Sequence, residues 1–182
     1  PELHGLIVLV GNADTELSLG CDESYSIDIP SAEEASVTEA LAVMSAPTVW
    51  GALAGLTTFE QLLQTKPSGL WTGHTPVRIE DRPNFPHRGL LVDVARQYLP
   101  LTALERTVDA MAFSAKMNVL HLHVTDDQSF PLEVPGLPTL SEHGAFAPGA
   151  NSSAAARAAF ADHCHNRGAR LPLAGDPPRA PP

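Results

Sequence analysis

The chain has 182 residues, 43% of them hydrophobic, and its 21 acidic residues against 11 basic ones give a formal net charge of −10. This balance argues against nucleic acid or an anionic membrane surface as a partner, because both repel an acidic protein. No apolar run approaches the roughly 20 residues that span a bilayer. The length allows one domain, or one domain and part of another, with a real core.

The first half of the chain alternates strand patterns with one helix pattern. Val49 to Leu63 has helical spacing, and Thr48 is in place to cap its N-terminus. Gly51 and Gly55 lie one turn apart, so another element can approach the helix backbone closely there. The strands that hydrophobic alternation predicts are 6–10, 24–29, 41–44 and 77–79.

A proline-containing segment, Glu80 to Pro86, is the predicted junction between two domains. We therefore expect an N-terminal α+β domain at residues 1–82, with a mainly antiparallel sheet backed by the helix. Residues 83–182 form the second domain.

Two apolar strands in the second half end in polar side chains. Gly89 to Val94 carries Asp93 and is followed by Arg96, and a strand at 119–124 is followed by Asp126 and Asp127. One helix lies between them, so the order is that of a βαβ unit. Both sets of charges should therefore meet at the C-terminal end of a parallel sheet, where α/β barrels place reactive groups.

The intervening helix is predicted to begin at a capping box formed by Thr102 and Glu105. Residues 132–148 are predicted to be a long loop, and 154–166 a second helix with Gly168 at its C-terminal cap. A third strand should open at Arg170. The prolines from Pro177 onward cannot pair as a central strand, so we expect the barrel to break off there.

Several of these motifs resemble β-N-acetylhexosaminidases, the family-20 glycoside hydrolases. H-R-G-L-L-V-D-V-A-R-Q-Y-L-P (His87 to Pro100), D-A-M-A-F (Asp109 to Phe113) and N-V-L-H-L-H-V-T-D-D-Q-S-F-P (Asn118 to Pro131) resemble the opening of the catalytic barrel. D-E-S-Y (Asp22 to Tyr25) and the segment Val49 to Leu62 resemble the domain that precedes it. The resemblance implies an incomplete (β/α)8 TIM barrel with its first two to three strands.

The resemblance also implies roles for two residues. Arg96 would clasp hydroxyls of the terminal sugar, for which a guanidinium offers a rigid fork of donors. The alternative to a sugar-binding role for Arg96 is a structural ion pair with Asp93 or Asp127. Asp126 would orient a histidine further along the barrel without touching the sugar, and its alternative is a solvated acid in a turn.

Catalysis in this family depends on an adjacent Asp-Glu pair, which the resemblance places on the fourth barrel strand, beyond residue 182. There the substrate's own acetamido group attacks the anomeric carbon, with retention, while the Glu protonates the leaving oxygen. The Asp-Glu dipeptide in this chain is Asp22-Glu23, in the first domain. We therefore expect no catalytic residue in this chain and an inactive fragment.

Two other functions stay open. His121 and His123 share one strand face and have a spacing found in metal-dependent barrel hydrolases. Against a metal, Asp126 has the opposite strand parity and no later cluster completes a coordination shell, so we expect satisfied histidines and no metal or cofactor. The second alternative is a non-catalytic scaffold remnant.

The resemblance implies glycans with N-acetylhexosamine or chitin oligosaccharides as partners, no nucleic acid, and a lysosomal, vacuolar or secreted location. A homodimer is compatible with it for the full-length family member. Asn151-Ser152-Ser153 is an N-glycosylation sequon, in keeping with the secretory route. We do not expect a disulfide between Cys21 and Cys164.

Overall fold

The computed structural model describes residues 3–14, 16–31, 33–34, 41–67, 69–147 and 149–176, without the side chains of Leu70 and Trp71. The chain divides into two compact units, Pro1–Pro86 and His87–Pro182, each described by itself below. The predicted proline-rich end of the chain, from Pro177, lies outside the described residues. No helix in the described ranges combines the length and the apolar character that a membrane crossing requires.

The first unit contains a four-stranded sheet. Its strands are β1 Gly5–Asn12, β2 Tyr25–Ile29, β3 Leu41–Thr48 and β6 Val77–Asp81, and they lie in the order β1-β3-β2-β6. β1 runs parallel to β3, whereas β2 is antiparallel to both β3 and β6. The expectation of a mainly antiparallel sheet is thus confirmed.

Alternation along β2 builds the core of this unit. Tyr25, Ile27 and Ile29 are all nearly inaccessible to solvent, and they face helix α1, Val49–Leu62. Between α1 and β6 the chain forms a hairpin of β4, Leu63–Lys66, and β5, Gly69–Thr72. This hairpin could not be predicted from hydrophobic alternation, because its short strands lie in a segment rich in turn residues.

The N-terminus of α1 is capped as predicted, since the Thr48 hydroxyl accepts a hydrogen bond from the Gly51 N–H at 3.1 Å. The close approach at the two glycines is also confirmed. A Cβ on Gly51 would lie 2.3 Å from the carbonyl oxygen of Ser24, and one on Gly55 would lie 2.8 Å from the Met44 sulfur. The helix can pack against the sheet at this distance only because both positions lack a side chain.

The second unit is built on three parallel strands in the order β7-β8-β9. Parallel strands joined through helices are the building blocks of α/β barrels. The strands are β7 Gly89–Asp93, β8 Val119–Thr125 and β9 Leu173–Gly175. The helices are α2 Leu101–Ala115, which joins β7 to β8, then α3 Pro138–Gly144 and α4 Ala154–Asn166, which lie between β8 and β9.

Strand β8 supplies the centre of the second core. Leu120 and Leu122 are buried against Leu104 and Val108 of α2 and Phe160 of α4. The next residues along β8, at 121 and 123, point to the opposite face of the sheet. One strand therefore provides both the apolar contacts with the helices and the side chains of the other face.

Two predictions about helices in this unit were wrong, and one was confirmed. Helix α2 begins at Leu101 with Pro100 as its N-cap and no side-chain cap, so Thr102 and Glu105 form no capping box. The segment predicted as a long loop contains α3. Helix α4 ends as expected before Gly168, which has a φ of +70°, the left-handed backbone that favours glycine.

Neither cysteine belongs to a disulfide bond. Cys164 is fully buried in the core of the second unit, and burial raises the pKa of its thiol to about 12. A thiol with such a pKa stays protonated at neutral pH and packs as a small apolar group.

We expect Gly51→Ala to lower the free energy of unfolding of the first unit by about 1–3 kcal/mol, because the new methyl group collides with the backbone at Ser24. Tryptophan fluorescence during urea unfolding measures the stability of the first unit, because both tryptophans of the chain precede residue 86. Gln61→Ala, at an exposed position of the same helix, is the control and should change stability by less than about 0.5 kcal/mol. Equal stability of the two variants would contradict the packing described here.

Candidate functional site

The end of β7 is shaped by the side chain of Asp93. One carboxylate oxygen, Oδ1, accepts hydrogen bonds from the backbone N–H groups of Ala95 at 3.0 Å and Arg96 at 3.1 Å. The other oxygen accepts from Nη1 of Arg96 at 2.5 Å. Asp93 therefore turns the chain and holds the guanidinium over the end of the strand that it terminates.

The ends of β7 and β8 are fastened to each other through the backbone. Asp93 lies opposite His123 in the parallel ladder. Beyond the ladder, the N–H groups of Val94 and Ala95 both donate to the carbonyl oxygen of His123, at 3.0 and 3.2 Å. The turn that carries Arg96 is thus fixed relative to the last residues of β8.

A tight turn after β8 presents Asp126. Its backbone exchanges two hydrogen bonds with Ser129, at 3.0 and 3.2 Å, and the N–H of Asp127 donates to Oδ1 of Asp126 at 2.8 Å. The Asp126 side chain is only 6% exposed, whereas that of Arg96 is 52% exposed. A buried carboxylate needs partners that stabilise its charge, and the surrounding donors supply them.

The two residues that the sequence predicted for the site are in direct contact. Nη2 of Arg96 donates to Oδ2 of Asp126, and the same oxygen lies 2.9 Å from Nε2 of His123. Nε of Arg96 donates to the Gln128 amide oxygen at 3.1 Å. The ion pair with Asp93 that was considered for Arg96 also forms. We call Asp93, Arg96, His123, Asp126 and Gln128 the rim cluster.

Two members of the rim cluster were missed as partners of Arg96 and Asp126. His123 was considered only together with His121, and Gln128 was not considered. The sequence carried no specific signal for Gln128, because its contact with Arg96 depends on the turn after β8. The histidine that Asp126 was expected to orient lies further along the barrel by resemblance, but in this chain Asp126 contacts His123.

Hydrogen bonds set the charges of this cluster. Bonds to the side chains of Asp127 and His123 lower the pKa of Asp126 to about 2, with Arg96 contributing further. Burial acts to raise the pKa of Asp93, but its bonds to the backbone and side chain of Arg96 outweigh burial and the pKa lies below its usual value. The bond to Asp93 raises the pKa of Arg96. At neutral pH the cluster holds two carboxylates and a guanidinium.

The strand parity argument against a metal was wrong. Strand β8 ends at Thr125, and the turn that follows brings Asp126 back to His123. Asp176, directly after β9, joins them, and one ligand atom from each of the three residues lies within 4.8 Å of the others. His121 is not part of this group.

Two family models of known proteins match two different segments of the chain. Residues 2–62 match the family model described as "beta-acetyl hexosaminidase like". Residues 85–165, which carry the rim cluster, match the model of the glycosyl hydrolase family 20 catalytic domain. The two matches fall in the first and the second compact unit, respectively.

Individual relatives agree with these models. Beta-hexosaminidase 3 of Arabidopsis thaliana is 44% identical over 140 residues, which are 76% of this chain and 25% of the relative. Beta-hexosaminidase subunit beta of Homo sapiens is 43% identical, over 77% of this chain and 23% of the relative. The solved Flavobacterium johnsoniae chitobiase matches with a TM-score of 0.79 and 30% identity, covering 92% of this chain and 24% of that one.

The parallel strands with charged ends and these matches define the class of the second unit, the opening part of an α/β barrel. The chain belongs to glycoside hydrolase family 20, the β-N-acetylhexosaminidase family. It spans about a quarter of the length of the curated relatives it matches.

The pKa of Asp126 can be measured from its side-chain carboxyl carbon by NMR, and we expect a midpoint near 2. Its contribution to stability should be complete above the unfolded value of about 3.9 and should be lost as the pH falls toward 2. His123→Phe should raise the midpoint because it removes a hydrogen bond to the carboxylate. His121→Phe is the matched control, and an equal rise in both variants would count against the contact.

Proposed function

We propose that the rim cluster binds the terminal N-acetylhexosamine of a glycan, with Arg96 donating to sugar hydroxyls. The proposed activity of the whole protein is removal of terminal, non-reducing N-acetylhexosamine by the substrate-assisted retaining mechanism. A solved family-20 β-N-acetylglucosaminidase, 25% identical with a TM-score of 0.70, supports this substrate class.

The observation that carries the proposal is the way Arg96 is held. A guanidinium has five N–H donors. Three of its N–H groups are engaged by Asp93, Asp126 and Gln128. Two donors therefore remain on a side chain that is half exposed and fixed in place. Fixed, parallel donors are what two neighbouring hydroxyls of a sugar ring require.

The charges around Arg96 favour a neutral ligand over an anionic one. Asp93 and Asp126 together carry two negative charges against the one positive charge of Arg96, and Asp176 adds to the negative potential. A phosphate or carboxylate would be repelled by this surplus, whereas a hydroxyl can both donate and accept. The cluster thus suits an uncharged polyol such as a hexosamine.

The buried carboxyl of the rim cluster cannot supply the proton for glycoside cleavage. Asp126, with a pKa of about 2, is ionised at neutral pH, and a general acid must be protonated there. Asp22 of the Asp22-Glu23 dipeptide is exposed, and its bonds to Ser24 lower the pKa of its carboxyl. We propose that this chain binds the sugar without hydrolysing it.

Other aspects of the function rest on family resemblance. We propose chitin oligosaccharides among the substrates and a lysosomal, vacuolar or secreted location. The exposed position of Asn151, the first residue of the sequon, supports the secretory route. A homodimer of the full-length protein stays a prediction that sedimentation of that protein would test.

We expect Arg96→Ala to weaken binding of N-acetylglucosamine by about tenfold or more, because hydrogen bonds from a charged donor to the hydroxyls are lost. Chemical-shift changes on titration of the 182-residue chain measure the affinity. Arg106→Ala, an exposed arginine on α2, is the control and should bind like the original chain. Equal affinity of both variants would favour a scaffold that does not use the rim cluster.

We expect the purified chain to release no chromophore from an aryl N-acetylglucosaminide, because the two carboxyls that hold Arg96, Asp93 and Asp126, both have lowered pKa values and cannot donate a proton at neutral pH. A β-hexosaminidase of full length serves as the positive control. Turnover that disappears with Arg96→Ala would contradict the proposal, since it would require a proton donor within these residues.

A further inference from the structure

We propose that His123, Asp126 and Asp176 form a zinc site at the C-terminal ends of β8 and β9. One potential ligand atom from each residue lies within 4.8 Å of the other two. One imidazole nitrogen and two carboxylate oxygens are a donor set that zinc accepts, with a fourth position left for water. This goes beyond the sugar-binding function and does not require a bound sugar, although His123 and Asp126 belong to the rim cluster as well.

Asp176 is held in place by Thr125, the last residue of β8. Its N–H donates to the Thr125 carbonyl at 2.9 Å, and the Thr125 hydroxyl donates to its carbonyl at 3.1 Å. A Cβ on Gly175 would lie 2.1 Å from the Thr125 hydroxyl oxygen, so only glycine allows this approach. The third ligand thus comes from another strand but has a defined backbone position.

The other two candidate ligands are already neighbours. Nε2 of His123 lies 2.9 Å from Oδ2 of Asp126. Because this carboxylate is ionised, it can only accept, so the imidazole nitrogen is the donor. Zinc would take the place of that shared proton, with the neutral imidazole carrying its hydrogen on Nδ1. Small side-chain rotations can then bring both atoms to the 2.0–2.2 Å that zinc requires.

The charges of the cluster are compatible with a divalent cation. Asp126 and Asp176 together neutralise its two positive charges. Arg96 is paired with both Asp93 and Asp126, so its positive charge is already balanced within the rim cluster, and its hydrogen bond to Asp126 would remain beside the ion. Hydrogen bonds of this kind to a ligating carboxylate are common around metal sites. Asp176 is exposed, which gives the ion a path from solvent.

This site differs from the metal hypothesis that the sequence suggested and revises the expectation of no metal. That hypothesis joined His121 to His123 along one strand. The structure joins His123 instead to the turn after β8 and to the residue after β9, and it leaves His121 outside the group. Substitution of His123 should therefore weaken zinc binding and substitution of His121 should not, which provides a matched pair of variants.

The test is an isothermal calorimetric titration of the chelator-treated 182-residue chain with Zn²⁺. Co²⁺ in place of zinc adds visible absorption bands that report its coordination. We expect one ion per chain, and we expect Asp176→Asn and His123→Gln to weaken binding at least about tenfold. His121→Gln and Asp162→Asn, on α4, are the controls and should keep the original affinity.

Absence of saturable zinc binding by the folded chain would overturn the proposal, as would equal weakening by His121→Gln and His123→Gln. Asp176→Asn keeps the test valid if variants of the less exposed His123 fail to fold, which circular dichroism would show. Arg96→Ala separates the two proposals, because it should lose the sugar and keep the zinc. Loss of both ligands in that variant would count against an independent metal site.

Discussion

The ion pair between Arg96 and Asp126 is the interaction on which the functional end of this molecule depends. It joins a residue that follows β7 to a residue that follows β8, and each side has its own backbone support. Asp93 fixes the turn that carries the arginine, and Ser129 closes the turn that carries the aspartate. Asp126 is the buried member of the pair, and its charge depends on such partners because a buried carboxylate without them is costly.

The alternation of side chains along β8 explains how one short strand supports both stability and chemistry. Leu120 and Leu122 face the helices and are buried in the core, while His121 and His123 face the other side of the sheet. The apolar face holds α2 and α4 against the strand, so the position of His123 is set by packing on the opposite face. A rigid strand is a better support for a binding group than a loop.

Much of this arrangement could be predicted from the sequence, because apolar periodicity and strand length mark β7, α2 and β8 directly. The meeting of Arg96 with Asp126 followed from the rule that parallel strands end at the same edge. The capping box at Thr102 was wrong because the helix starts at Leu101, directly after Pro100, whose fixed φ suits the start of a helix. Sequence patterns place such boundaries only to within a few residues.

The contacts that were missed depend on turns. Strand parity holds only within a strand, so it could not show that the residues after Thr125 bring Asp126 back to His123. No sequence pattern marks Asp176, which directly precedes a proline-rich segment, as a neighbour of Asp126. Its place depends on the pairing of β9 with β8 and on the fit between Gly175 and Thr125, which are tertiary facts.

The most direct test of the central claim is a double-mutant cycle on Arg96→Met and Asp126→Asn, read from amide hydrogen exchange at Leu120 and Leu122 in the second unit. If the pair joins the two strand ends, the double variant should lose clearly less protection than the sum of the two single losses. Strictly additive losses would show that the two side chains act independently and would contradict this account.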